Sequence, residues 1–336
     1  MKELQAIVHR LLAAPAAETA LATLVTVEGS SYRRPGARLL LEADGTRTGS
    51  ISGGCLEEDV LVRARRVLTS GRAEATIYDT TSENDLVWGV GLGCHGVVRV
   101  LVEKLPPRPA WAVTLAENFC ARRVTQLTVV HDGGEAAAYG TRLAAESAVA
   151  GAPSAKGANV FLQAVPPPTA LIVFGAGDDA QPLVRLAKEL GWHVTVADPR
   201  AAFATAARFP QADVVLAAPA AELVARTAPG ADALTVVMTH HYVHDVPLLR
   251  DLIARPLAYV GLLGPRKRAI KIFEDLARDG ITITPEQRTR LHAPIGLDLG
   301  ADAPEQVALS IVAEMQASLG QRDARPLRER SRPIHE

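Results

Sequence analysis

Cysteine is scarce in this chain. Cys55, Cys94 and Cys120 are the only three in 336 residues, an odd number with no CxxC pair. Such a set cannot build a disulfide framework and lacks the close ligand pairs of a structural zinc site; it fits a reducing compartment, the cytoplasm. Net charge is equally spare. Thirty-six basic side chains against 37 acidic ones leave −1, which offers no electrostatic footing to nucleic acid or to an anionic membrane. No apolar run approaches the roughly 18–20 residues of a membrane span, and Met1-Lys2-Glu3-Leu4 does not open a secretory signal. Internal repeats are missing too. What remains, 48% hydrophobic and 22% charged, is a globular composition with room for two domains, each burying a core.

The stretch richest in chemistry is Leu171–Arg200. The apolar run Leu171–Phe174 has the length of a buried parallel strand. Gly175-Ala176-Gly177-Asp178-Asp179-Ala180 follows as a G-x-G-x-x-A turn, and Leu183, Leu186, Ala187 and Leu190 then recur on one helical face. A second strand, His193–Ala197, ends at Asp198. Strand, glycine turn, helix, strand and acid in this order form the dinucleotide-binding fingerprint. Gly175 permits the tight turn, and Gly177 lets backbone approach a pyrophosphate at the positive helix end. Asp198 stands where a carboxylate accepts from ribose hydroxyls.

Beyond Asp198 the alternation continues, with strands expected at Val214–Leu216, Leu234–Thr239 and Ala258–Leu263. This predicts a Rossmann-like, doubly wound parallel sheet. His240 and His244 are four apart, a metal spacing on a helix. Because they follow a strand, a hydrogen bond from His240 to a ligand or to neighbouring backbone is the favoured expectation. Pro265-Arg266-Lys267-Arg268 opens a helix whose basic triplet either attracts an anion or faces solvent. Leu291–Asp298 reads as a compact loop, and Asp302-Ala303-Pro304-Glu305 as the cap of a final helix through Met315.

The first half predicts a mixed α/β domain. Lys2–Ala14 has an apolar helical face of Leu4, Ile7, Val8, Leu11 and Leu12. Strands are expected at Thr19–Val27, Leu39–Leu41, Thr46–Ser50, Ala73–Tyr78 and Val97–Val102, with Asp44-Gly45 as a hairpin turn, and a helix at Leu56–Leu68. Ser30–Arg38, carrying Arg33, Arg34 and Arg38, reads as a basic loop outside the core. Ala110–Leu115 and Arg123–Val130 read as two more strands of the same sheet, with Cys120 as filler. Gly133–Pro168, rich in Ala, Gly and Pro, reads as the approach to a hinge at Pro166-Pro167-Pro168. Domains are therefore expected at 1–165 and 169–318, followed by a mobile tail, 319–336.

Two glycine stretches in this half carry cysteine. Gly53-Gly54-Cys55 precedes a helix, where backbone N–H groups favour a phosphate or the thiolate itself. Glu57, Glu58 and Asp59 oppose that by repelling negative charge, and a small buried cysteine at a tight turn is the plain alternative. Trp88–Gly96 places Gly91 and Gly93 before Cys94 and His95, a spacing that suits close backbone approach or a bulge in an ordinary sheet. Two such loops suggest a shared site handling sulfur or a soft metal.

With these residues in view, the chain resembles the xanthine dehydrogenase accessory protein family, XdhC/CoxI. The resemblance is carried by GSSYRRPGAR, GSISGGCLEE, WGVGLGCHG, VFGAGDDAQPL, VADPR, VVMTHH, YVGLLGPRKR and HAPIGLDLGADAPEQVALSIVAEM. It implies a chaperone rather than a dehydrogenase, one that binds molybdenum cofactor as molybdopterin or its dinucleotide form. Such a protein supports sulfuration with a cysteine desulfurase and delivers the cofactor to an apo-molybdoenzyme of the xanthine dehydrogenase family, as a homodimer. Cys55 and Cys94 match the cysteines of the family's glycine motifs, and Gly175, Gly177 and Asp198 its nucleotide-type turn. The resulting expectation is a phosphate or nucleotide in the Rossmann crevice, Cys55 and Cys94 toward molybdenum or incoming sulfur, and Arg33, Arg34 and Arg38 adding positive charge. His95, His241 and Pro265 depart from the family's usual residues. An NAD(P)-dependent oxidoreductase and a nucleotide-binding scaffold are the alternatives; no Tyr-x-x-x-Lys set supports the first.

Overall fold

The computed structural model describes residues 1–14, 17–54, 56–79, 96–132, 139–144 and 159–331. They fall into two units, Met1–Pro167 and Pro168–Glu336, each with its own buried core.

In the first unit the elements run α1 (Lys2–Ala13), β1 (Thr19–Gly29), β2 (Arg38–Glu42), β3 (Arg47–Gly49), α2 (Glu57–Ser70), β4 (Glu74–Asp79) and β5 (Gly96–Leu105). Then come α3 (Ala110–Cys120), β6 (Thr125–Asp132), β7 (Gly140–Leu143) and β8 (Asn159–Val165). One antiparallel sheet has the order β3-β2-β1-β5-β4, and a second has the order β7-β6-β8. Side chains alternate across a strand, so β1 and β5 feed two cores. Ala20, Ala22, Leu24, Val98, Val100 and Val102 pack on Val60, Leu61, Ala64 and Val67 of α2. Leu21, Leu40 and Leu105 pack with Ile7 of α1 and Trp111 and Leu115 of α3, while Val25, Leu101 and Val129 join the two sheets.

Four expectations are corrected here. Ala110–Leu115 is the first half of α3, not a strand: Trp111, Ala112 and Leu115 share one buried helical face, and six apolar residues carry too little period to separate the two states. Cys120 therefore ends a helix, and it is exposed. Arg123–Val130 does contain a strand, β6, but it leads a separate sheet. Its partners β7 and β8 come from the stretch expected to be an approach to a hinge, and they are strands because of pairing, as in Leu127↔Leu143 and Val129↔Phe161. Arg38, expected in an exposed loop, opens β2 and is 2% exposed.

The second unit contains β9 (Ala170–Phe174), α4 (Ala180–Glu189), β10 (His193–Asp198), β11 (Val214–Ala217), α5 (Ala220–Thr227), β12 (Leu234–Val237) and α6 (Tyr242–Ile253). It closes with β13 (Tyr259–Leu262), α7 (Arg266–Arg278), α8 (Pro285–Thr289), β14 (Leu291–His292) and α9 (Pro304–Leu319). All six strands are parallel, in the order β11-β10-β9-β12-β13-β14. This is the doubly wound Rossmann order, with its reversal between β9 and β12. Both sheet faces are covered. Leu171, Val173, Val194 and Val236 pack on Leu183 and Val184 of α4 and Ile311 and Met315 of α9. Ile172, Phe174 and Val237 pack on Leu223 of α5, Leu248 and Leu252 of α6 and Ile272 of α7. The helix α9 is capped differently from the expectation. Gln306 Oε1 accepts from the N–H groups of Asp302 and Ala303 at 2.9 and 3.0 Å, and the Asp302 side chain is not the cap.

Candidate functional site

The strand reversal places the ends of β9 and β12 side by side, where ligands of such sheets bind. Gly175 has φ +131° and donates to the Ala197 carbonyl at 2.8 Å. A Cβ there would collide with the Met238 carbonyl and the Thr239 nitrogen, so the turn needs glycine. After Gly177, Asp179 is the N-cap residue of α4. Both acids of the turn meet a basic side chain: Asp178 accepts from Arg208 at 2.6 Å, and Asp179 meets His240 Nε2 at 2.6 Å.

His240 follows β12 with φ +61°. Its hydrogen bond to Asp179 raises its pKa, against the opposing effect of burial. Its carbonyl accepts from Arg268 at 3.2 Å, and Arg268 also pairs with the fully buried carboxylate of Asp245, which accepts from the Thr239 hydroxyl at 2.5 Å. Of the basic triplet, then, Arg268 is an internal strut, while Arg266 and Lys267 are exposed. His241 is the N-cap of α6 and His244 lies within it, so His240 and His244 do not share a helical face. Among the described residues, no group of three or more His, Cys, Asp or Glu side chains is arranged to hold a metal ion.

Asp198 is fully buried. Oδ2 accepts from Ala176 N–H and Arg200 Nη2, both at 2.7 Å, and Oδ1 from Arg200 N–H and Nε at 2.8 and 2.9 Å. Burial alone would push its pKa up, but the Arg200 side chain and the N–H groups of Arg200 and Ala176 together hold it below the usual carboxylate range. The ribose-accepting oxygens expected of Asp198 are thus engaged by the chain's own donors. Arg200 lies 4.1 Å over the Phe203 ring and Arg208 4.9 Å from it; Arg208 also donates to the Ala176 carbonyl at 2.7 Å. The sequence reading missed this Arg200–Phe203–Arg208 cluster, whose signal was a basic residue two positions after the acid. It also missed Glu314, which accepts from Tyr259 and from Gly296 N–H at 2.9 Å and so ties the Leu291–Asp298 loop to α9.

In the first unit, Gly53 and Gly54 are exposed and Gly54 has φ +114°. The turn is built by Ser52 and Glu57. The Glu57 carboxylate accepts from both Ser52 N–H, at 2.9 Å, and the Ser52 hydroxyl, and from Ser50 at 3.0 Å; Ser52 Oγ accepts from Gly54 and Leu56 N–H, each at 3.2 Å. Glu57 therefore turns inward instead of repelling a ligand, and Asp59 is spent on Arg63 and Tyr78, each at 2.6 Å. Arg33 pairs with Glu3. Burial lowers the pKa of Arg38 to about 10, against the pull of Glu103. Neither arginine is the free surface cation expected. Cys55, Gly91, Gly93, Cys94 and His95 lie outside the described residues.

Residues 171–315, which hold the glycine turn, Asp198 and His240, match the XdhC Rossmann domain, and residues 12–79 match the XdhC and CoxI family. A Bacillus subtilis (strain 168) protein, named as a probable xanthine dehydrogenase subunit, is 33% identical over 313 residues, covering 89% of this chain and 92% of that one. The chain belongs to the XdhC and CoxI family. Another relative is the "Molybdenum cofactor insertion chaperone PaoD" of Escherichia coli (strain K12). It is 25% identical over 296 residues, 88% of this family member and 81% of PaoD. A crystal structure described as a xanthine dehydrogenase from Bacillus halodurans superposes on this XdhC/CoxI chain with a TM-score of 0.80. It shares 28% identity, and the match covers 97% of this chain and 99% of that one.

Proposed function

We propose that this chain is an accessory chaperone that binds molybdenum cofactor, supports its sulfuration with a cysteine desulfurase, and delivers it to a xanthine dehydrogenase-type molybdoenzyme. The observation that carries the reading is its nearly end-to-end likeness to a protein named for molybdenum cofactor insertion and to one named for a xanthine dehydrogenase. The cofactor, as molybdopterin or its dinucleotide form, is cargo here. In this reading its phosphate or nucleotide meets the turn of Gly175 and Gly177, close to Asp198 and His240. Incoming sulfur is assigned to Gly53-Gly54-Cys55 and to the Gly91, Gly93 and Cys94 stretch. The phosphate assignment is supported by the absence of Cβ atoms at both turn glycines and by His240, Arg200 and Arg208, which an incoming anion would take over from Asp179, Asp198 and Asp178. The protein works in the cytoplasm as a homodimer.

The rival reading of an NAD(P)-dependent oxidoreductase lacks a Tyr-x-x-x-Lys set in the sequence to support it. The test is the pterin and molybdenum content of the full chain purified from a host that makes the cofactor. Near-stoichiometric pterin is expected. No pterin, even after incubation with added cofactor, would overturn the carrier reading, and titration with NAD(P), ATP and CTP would then identify the nucleotide-bound rival. Cofactor binding and target sulfuration that survive Cys55→Ala combined with Cys94→Ala would overturn the cysteine assignment alone.

A further inference from the structure

A cavity of about 330 Å³ lies against one end of β1 and β5 in the first unit, where Glu28 pairs with Val97. Its polar lining is Thr26, Glu28, Arg99, His131 and Asn159; Ile77, Val97 and Val160 supply aliphatic wall. In sequence, Val97 stands three residues after Cys94. The cavity has the size of a small-ligand pocket, and none of its lining belongs to the glycine turns or to the crevice of the second unit.

His131 is only 4% exposed, yet its Nδ1 meets no hydrogen-bond partner among the described residues. A buried polar atom without a partner is costly. Burial, with the nearby Arg99, lowers the pKa of this imidazole, so it is neutral at pH 7 and offers both a donor and an acceptor. Asp132 accepts from Arg99 at 2.5 Å and from the Asn159 amide nitrogen at 3.1 Å. That compensates the Arg99 charge and leaves Asn159 its carbonyl oxygen. Glu28 then adds a carboxylate to the lining, which opposes a bound oxyanion. The complementary ligand is a flat, neutral heterocycle that donates along one edge and accepts beside it.

We propose that this cavity binds the aminopyrimidinone edge of a pterin. Glu28 accepts from its amino and ring N–H groups, Arg99 donates to its oxo group, and His131 closes the buried side. The inference rests on the carrier reading, which supplies a pterin as the ligand to be tested. Guanine presents the same edge, so the test separates the two sources.

The full chain is titrated with 6-hydroxymethylpterin, followed by pterin fluorescence, and then with guanosine as competitor. Wild type is expected to bind the pterin, and Glu28→Gln to weaken it by about ten- to hundred-fold, the loss expected for a charge-assisted hydrogen-bonded edge. Glu28 is exposed, so this variant is expected to keep the wild-type unfolding midpoint. Glu222→Gln on α5, the control, should bind as wild type does. No binding by wild type, or unchanged binding in Glu28→Gln and His131→Phe alike, would overturn the proposal. Displacement by guanosine at matching strength would assign the cavity to purine nucleosides and overturn the pterin assignment. If isolated chain carries pterin and molybdenum undiminished by Glu28→Gln, the cavity assignment falls and the carrier reading stands. If hydroxymethylpterin binds through Glu28 while the isolated chain carries no molybdenum, the reverse holds.

Discussion

Asp198 receives four donors inside the protein, so its removal is felt twice, as lost bonds and as an unpaired Arg200. Asp198→Ala is expected to cost about 3–5 kcal/mol in urea unfolding, the range for breaking a buried pair from one side. The same carboxylate sets an acid limit. Its pKa is lowered on folding, so its contribution is fully present above the unfolded value near 4 and is lost as pH falls through the lower folded value. Asp198→Asn should flatten that part of the stability-against-pH curve. His240 runs the other way. Its pKa is raised by Asp179, so the pair stabilises fully below about 6.5 and ceases to as pH rises through the folded value. An NMR titration should find the His240 midpoint above that of a free histidine, and Asp179→Asn should bring it down. Gly175→Ala would force φ +131° on a residue with a Cβ aimed at the Met238 carbonyl. The backbone strain alone is worth about 1–3 kcal/mol, and near-UV circular dichroism should report loss of packing in that unit.

At the scale of elements, α3 is the instructive case. Trp111, Ala112 and Leu115 are all buried against α1 and the sheet, and Trp111→Ala is expected to cost about 3–5 kcal/mol by thermal or urea unfolding. Nothing in Ala110–Leu115 alone distinguishes that helix from a strand, because six residues span fewer than two turns. Elements with a longer pattern were readable: α1 by its apolar stripe, and β9, α4 and β10 by the strand–turn–helix order that surrounds the glycines. β7 and β8 were not, since their identity comes from pairing with β6 across gaps in sequence. The same rule divides the candidate site. Gly175, Gly177 and Asp198 declare themselves locally, whereas Arg268 meets Asp245 across 23 positions and Arg208 meets Asp178 across 30. Arg38 misled for a related reason: a charged residue in a Pro- and Gly-rich stretch reads as surface, and only its pairing opposite Thr23 puts it inside.

Over the whole molecule, the two units have separate cores, one built on antiparallel sheets and one on the parallel sheet. Residues 168–331 expressed alone are expected to unfold in a single cooperative transition; a featureless melt would show that this core needs the rest of the chain. Under the proposed carrier reading, the bond network around Asp198 has a further consequence. A phosphate arriving at Arg200 does not enter a vacant seat but exchanges with a carboxylate tethered two residues away, a competitor present at an effective concentration of about millimolar or higher. Weakly held single anions lose that exchange, and a ligand with several points of attachment wins it. In that reading, the resident acid recaptures its arginine once those attachments loosen, so release would be assisted from within the chain itself.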